Sequence, residues 1–161
     1  MTAPPKDGTT ARRTWVWRAV LVCWCLFMWS RSLKAGDASL GDSSLVVGLA
    51  RPIFEAVGVT DADLMQFVVR KLAHFTEYLV MGLLCRQAFP VGEGPHGRGA
   101  AYAARALTVA LVPSADECIQ LFVPGRSGMV RDVLIDMAGA VSGLALSGWT
   151  SRLRSRRARR S

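Results

Sequence analysis

The stretch RKLAHFTEYLVMGLL, residues 70–84, decides how this chain is read. Lys71, His74 and Tyr78 recur at the i, i+3, i+7 spacing of one helical face, Glu77 lies beside His74, and an unbroken apolar run follows from Leu79 to Leu84. A helix with ionisable groups at one end of an apolar run fits a membrane span, because charge at bilayer depth is costly and must turn towards a polar interior. Extended in both directions the run gives a candidate span over 66–89, preceded by Thr60, Asp61 and Asp63, which supply a cap and match the helix dipole.

Three further apolar stretches reach the length of about 20 residues that a bilayer crossing needs, over 14–33, 100–123 and 130–149. Trp15, Trp17 and Trp29 stand where interfacial anchors are expected, and Arg18 is placed to snorkel back to the surface. Arg12 and Arg13 ahead of the first stretch also suit a secretory signal. Its length and the lack of an A-x-A site favour an uncleaved anchor, and Val22 before Cys23 excludes a lipoprotein signal. VGEGPHGRG (91–99) and PGRSG (124–128) read as turns, and Pro113 is expected to kink the third span. The segment 44–59, SLVVGLARPIFEAVGV, is too short and too interrupted by Arg51, Pro52 and Glu55 to cross, and is expected to lie along the outer surface.

The fold expected is an all-α integral membrane four-helix bundle, one domain over 1–161, with a short extracytoplasmic amphipathic segment between its first two helices. Basic residues flank the N-terminus (Lys6, Arg12, Arg13), the loop near Arg86 and Arg98, and the tail 150–161, whereas the loop from Lys34 to Val69 carries Asp37, Asp42, Glu55, Asp61 and Asp63. The positive-inside bias then places both termini in the cytoplasm, which needs an even number of crossings.

The 161 residues are 51% hydrophobic, with a formal charge of +8 and a mean hydropathy of +0.27. Much of the positive charge sits in the last residues (Arg152, Arg154, Arg156, Arg157, Arg159, Arg160), directly after an apolar segment, as a cytoplasmic anchor does. No aromatic stacking platform or recognition motif accompanies it, so nucleic acid is not an expected partner. Cys23, Cys25, Cys85 and Cys118 lie in or beside apolar segments without a CxxC pair and read as small hydrophobes.

In this topology the polar residues meet. Lys71, His74, Glu77 and Tyr78 on the second span, Asp116, Glu117 and Gln120 on the third, Arg126 at the turn, and Asp132 and Asp136 on the fourth converge at the outer face, where Ser30 and Arg31 end the first span. Continuing the fourth stripe gives Gly139 and Gly143, a small-xxx-small pair suited to close helix approach.

The run from Arg70 to Leu84, followed by DECIQLFVPGRSGMVRDVLIDMAGAVSG (116–143), resembles the VanZ-like family of small bacterial membrane proteins. The family pattern carries over onto Lys71, His74, Phe75 and Tyr78, then Glu117, Gln120 and Arg126, then Asp132, Asp136 and Gly139, with Asp136 standing where many members have Asn. The resemblance implies association with antibiotic resistance, to teicoplanin for the member that names the family, and it implies no established chemistry.

Two functional readings follow, beside a structural alternative in which the charges only neutralise one another and pin helix register, Lys71 with Glu117 or Glu77 and Arg126 or Arg131 with Asp132. In the first, an outward-facing pocket binds a cell-envelope lipid headgroup, a lipid-linked cell-wall precursor or a glycopeptide-type antibiotic. Lys71, Arg126 and Arg131 hold phosphate and Gln120, Tyr78 and His74 orient it; no cofactor is required. In the second, an intramembrane hydrolase or transferase acts on phospholipid or polyprenyl phosphate through a divalent cation held by His74, Glu77, Glu117, Asp132 and Asp136. Proton-coupled transport through His74, Glu117 and Asp136 is less attractive without an inverted repeat.

Overall fold

The computed structural model describes residues 8–33, 36–92 and 94–159. Lys6, Lys34 and Arg160 lie outside the described residues, as do the side chains of Asp37 and Asp42. The described chain is all helical, with five helices: α1 (Gly8–Ser32), α2 (Gly36–Ala56), α3 (Ala62–Ala88), α4 (Gly94–Gln120) and α5 (Val130–Ala158).

Each boundary has a local cause. Asp61 caps α3, its side chain accepting from the backbone N–H groups of Asp63 at 2.9 Å and Leu64 at 3.2 Å, with Asp63 adding negative charge to the first turn. The stretch 91–99, expected as a turn throughout, is one only at its start, since α4 already begins at Gly94. Pro95 sits in its first turn, where a missing N–H removes no intrahelical bond. The segment 44–59 proves to be most of a full helix, α2, with Pro52 inside it. The basic tail continues α5 to Ala158 rather than following it as an extension.

α3 is the hub, packing against each of the other four helices, most extensively along α5. Cross-helix pairs give the directions. Arg18 meets Ala88 and Arg31 meets Glu77, so α1 and α3 are antiparallel. Lys71 meets Asp132, His74 meets Asp136 and Arg86 meets Ser151, so α3 and α5 run parallel. The start of α1 and the end of α5 therefore share one end of the bundle.

The core joins Leu21, Cys25 and Met28 of α1, Tyr78, Met81, Cys85 and Ala88 of α3, Val109 of α4 and Ala140 of α5. Cys23 is exposed while Cys25 is buried, and all four cysteines are free. Trp29, expected to anchor in an interface, donates its indole N–H to the Val112 carbonyl at 3.4 Å and ties α1 to α4 one residue before Pro113. Arg18 does not simply snorkel: its Nε donates to the Ala88 carbonyl at 3.2 Å, with the guanidinium over the rings of Trp15 and Phe89.

Among the described residues one helix, α5, is long and apolar enough by length and composition to cross a membrane. The polar residues that give α3 and α4 their interest also lower their hydropathy, and α1 carries tryptophans and Arg12, Arg13, Arg18 and Arg31. The outward faces nonetheless carry Val16, Val20, Val22 and Leu26 on α1, Leu72 on α3, Leu107 and Leu111 on α4, and Leu134 and Val141 on α5, all exposed.

Candidate functional site

The site begins with how closely α3 and α5 approach. A Cβ on Gly139 would strike the Phe75 carbonyl oxygen, one on Gly143 the Leu79 carbonyl oxygen, and one on Gly82 the Ala140 carbonyl oxygen. Backbone thus lies against backbone, as small-residue stripes permit. This contact fixes the α3/α5 register and aligns the polar residues nearer the N-terminal ends of both helices.

There the structure brings the sequence-selected residues together, with partners that spacing did not reveal. Lys71 pairs with Asp132, to which Arg131 also comes within 3.9 Å. His74 Nδ1 stands 3.9 Å from Asp136 Oδ1. Glu77 is bound by Arg31 of α1 at 3.2 Å, not by Lys71. Glu117 pairs with no cation among the described residues: its Oε2 accepts the Met129 backbone N–H at 2.9 Å, and its Oε1 lies 3.3 Å from the Gln120 amide, which also reaches Asp116 at 3.5 Å. That backbone bond folds the 121–129 turn onto α4, and Gly128 lets it close, since a Cβ there would lie 2.5 Å from the Glu117 carbonyl oxygen.

Behind these pairs lies a buried interior. Tyr78, Asp116 and Asp136 are each at most 1% exposed, and Glu117 and Gln120 are buried. Among the described residues, five buried side-chain atoms here make no hydrogen bond: Tyr78 OH, Asp116 Oδ1, Arg126 Nε, Asp132 Oδ1 and Asp136 Oδ2. Unsatisfied buried polar atoms are few in folded proteins, so a cluster of them calls for a partner. The cation set read from the sequence is divided: Glu77 goes to Arg31, Asp132 to Lys71 and Glu117 to the Met129 amide, while His74 and Asp136 come together with Asp116.

On the other side of His74 a cavity of about 750 Å³ opens between α1, α2 and α3. Val46, Ile53 and Phe54 of α2 and Val68, Leu72 and Val80 of α3 make its apolar wall, while Arg31, Arg70 and Arg126 converge on it with His74 and Glu77. Burial, together with the positive charge of Arg70 and Arg31, holds the Arg126 guanidinium below its ordinary range. The cations expected to hold phosphate are therefore redistributed: Arg126 lines the cavity, Lys71 is committed to Asp132, and Arg131 is largely exposed over the Phe67 ring. Sequence reasoning did not assign Arg70 or Arg31 to this role. Arg70 lies about 100° round the helix from Lys71, off the selected stripe, and only the position of α2 shows that its face is covered.

A family model described as VanZ/LLP1 matches residues 17–150. No curated protein and no solved structure matches the chain.

Proposed function

The chain belongs to the VanZ/LLP1 family, and from that premise we propose that it is a four-span membrane protein whose lateral cavity holds an anionic cell-envelope amphiphile at the extracytoplasmic face. The observation that carries this reading is the cavity itself, which joins an apolar wall to three arginines at one end. Largely apolar clefts with a few convergent polar groups are the usual form of ligand sites. Guanidinium groups grip phosphate through two parallel N–H bonds and keep their charge at any physiological pH. Arg31 is already balanced by Glu77; among the described residues lining the cavity, Arg70 and Arg126 are the cations with no ion pair.

Membrane association is consistent with the family and with α5. The four-span arrangement is supported by an inversion: carboxylates are buried inside the bundle while leucines and valines face outward. Basic residues concentrate at the end where α1 starts and α5 finishes, which supports a cytoplasmic position for that end and an outer position for the cavity.

The chemistry is shared by a lipid-linked phosphate headgroup and by a glycopeptide-type antibiotic such as teicoplanin, through which the protein would contribute to resistance. Photo-crosslinking of the protein in native membranes with a polyprenyl-phosphate probe, in the presence and absence of teicoplanin, separates the two. Enrichment over phosphatidylglycerol, lowered about tenfold by Arg126→Gln, supports the lipid; displacement by teicoplanin supports the antibiotic. Labelling equal to bulk phospholipid and indifferent to both overturns the reading.

A further inference from the structure

His74, Asp116 and Asp136 come from three different helices, and each offers one ligand atom, all within 4.8 Å of one another. Asp116 and Asp136 are each 1% exposed, yet Asp116 Oδ1 and Asp136 Oδ2 make no hydrogen bond of good geometry, and the hydroxyl of the fully buried Tyr78 faces Asp116 without completing one. Among the described residues no lysine or arginine is ion-paired with either carboxylate: Lys71 is taken by Asp132 and Arg31 by Glu77, and Arg126, whose charge reaches Asp116 and Glu117, forms no ion pair with them. Two carboxyl groups so enclosed must be neutralised by something.

We propose that His74, Asp116 and Asp136 bind a divalent transition-metal cation, Mn²⁺ or Zn²⁺, with the Tyr78 hydroxyl at its edge. The donor set decides the class. Two carboxylate oxygens supply the charge that balances a dication, and one neutral imidazole favours Mn²⁺ or Zn²⁺ over Ca²⁺ and Mg²⁺, which prefer all-oxygen cages. The spacing is slightly expanded: with bonds of about 2.1 Å, ligands on opposite sides of a cation stand about 4.2 Å apart, within reach of small side-chain rotations from the present separation. His74 is poised for the role because it forms the wall between the cluster and the lateral cavity, whereas Asp116 and Asp136 do not line that cavity. The cation site thus goes beyond the amphiphile reading and stands or falls separately from it.

The test uses the full-length protein in lipid nanodiscs, stripped with chelator and titrated with Mn²⁺ alone, followed by electron paramagnetic resonance, and with Zn²⁺ alone, followed by calorimetry. One saturable equivalent of either metal is expected, with affinity lowered about 100-fold by Asp136→Asn and by His74→Gln, while Glu55→Gln, an exposed carboxylate on α2 outside both the cluster and the cavity lining, leaves it unchanged. The Mn²⁺ signal of the wild type should also show coupling to an imidazole nitrogen, a readout that does not require any variant to fold. Absence of a saturable site in the wild type overturns the proposal, as does binding that survives both Asp136→Asn and His74→Gln; a rise in stability on Asp136→Asn without metal binding would identify a shared proton in the cation's place.

Discussion

At the N-terminal side of α3 the ionisable groups of one helix are met by ionisable groups of another, whereas at its C-terminal end arginines are met by main-chain carbonyls and a serine hydroxyl. Lys71, His74 and Glu77 face Asp132, Asp136 and Arg31. At the far end Arg18 donates to Ala88 O, Arg105 donates to Phe89 O at 3.0 and 2.6 Å, and Arg86 donates to the Ser151 hydroxyl. The last carbonyls of a helix have no intrahelical partner and carry the negative end of its dipole, so guanidinium groups suit them. These arginines complete the fold. The polar end is different in having groups left over, among them Tyr78 OH, Asp116 Oδ1, Asp136 Oδ2 and Arg126 Nε. Surplus bonding capacity in a buried place is where a ligand has something to offer, which is why function is assigned to that end.

The comparison is broken most severely through the packing that both ends share. Gly143→Val would drive a side chain into the Leu79 carbonyl, which no rotamer relieves because the obstacle is backbone. Overpacking commonly costs about 1 to 3 kcal/mol, and a clash between two helix backbones belongs beyond the upper end. The expected outcome is loss of monodisperse protein on size-exclusion chromatography; a folded Gly143→Val would show that α3 and α5 do not approach as described.

Next in size is the ion pair. Lys71→Met leaves Asp132 without its close cation, with only the more distant and exposed Arg131 nearby. Removing one member of a fully buried pair costs about 3 kcal/mol or more, and less is expected for this partly buried one, its side chains 19% and 14% exposed, whereas replacing both by apolar residues is often neutral. Thermal unfolding in detergent should therefore fall sharply for Lys71→Met and recover for Lys71→Met combined with Asp132→Leu. Equal loss in the single and double variants would mean that the lysine acts on something other than Asp132.

The polar end was legible in the sequence because side-chain spacing within a helix is geometry that no tertiary contact alters. Lys71, His74 and Tyr78 share a stripe, Asp132 and Asp136 stand one turn apart, and alternating helix directions bring such stripes to one end of the bundle. The glycine pair was legible for the same reason. Pairing was not, because it depends on which helices are neighbours: spacing gave no reason to prefer Asp132 to Glu77 for Lys71, or to bring Arg31 across from α1 to Glu77. Gly/Pro density over 91–99 misled as to where α4 begins, since a proline that breaks a helix interior is harmless in the first turn. The role of α2 as the cavity's outer wall was hidden because Arg51, Pro52 and Glu55 argued only against its crossing, and its packing against α3 leaves no periodic mark.

The C-terminal end of α3 offers the finest test of the contrast, because Arg105 is buried and its acceptors are carbonyls of Phe89 and Arg86. If it serves only the fold, Arg105→Met should lower stability by about 2 kcal/mol, the value of hydrogen bonds in which one partner is charged. Arg105→Lys should restore part of this, since an ammonium keeps the charge but cannot match the forked geometry. Neither variant should alter probe labelling at the lateral cavity or Mn²⁺ uptake at the opposite end, because no ligand group is shared between the two regions. Measured in parallel, thermal unfolding that shifts while both binding signals hold supports the division between an end that completes the structure and an end that keeps capacity in reserve. A binding loss beyond the unfolded fraction would mean that the two ends of α3 are coupled through its length and that the division drawn here is wrong.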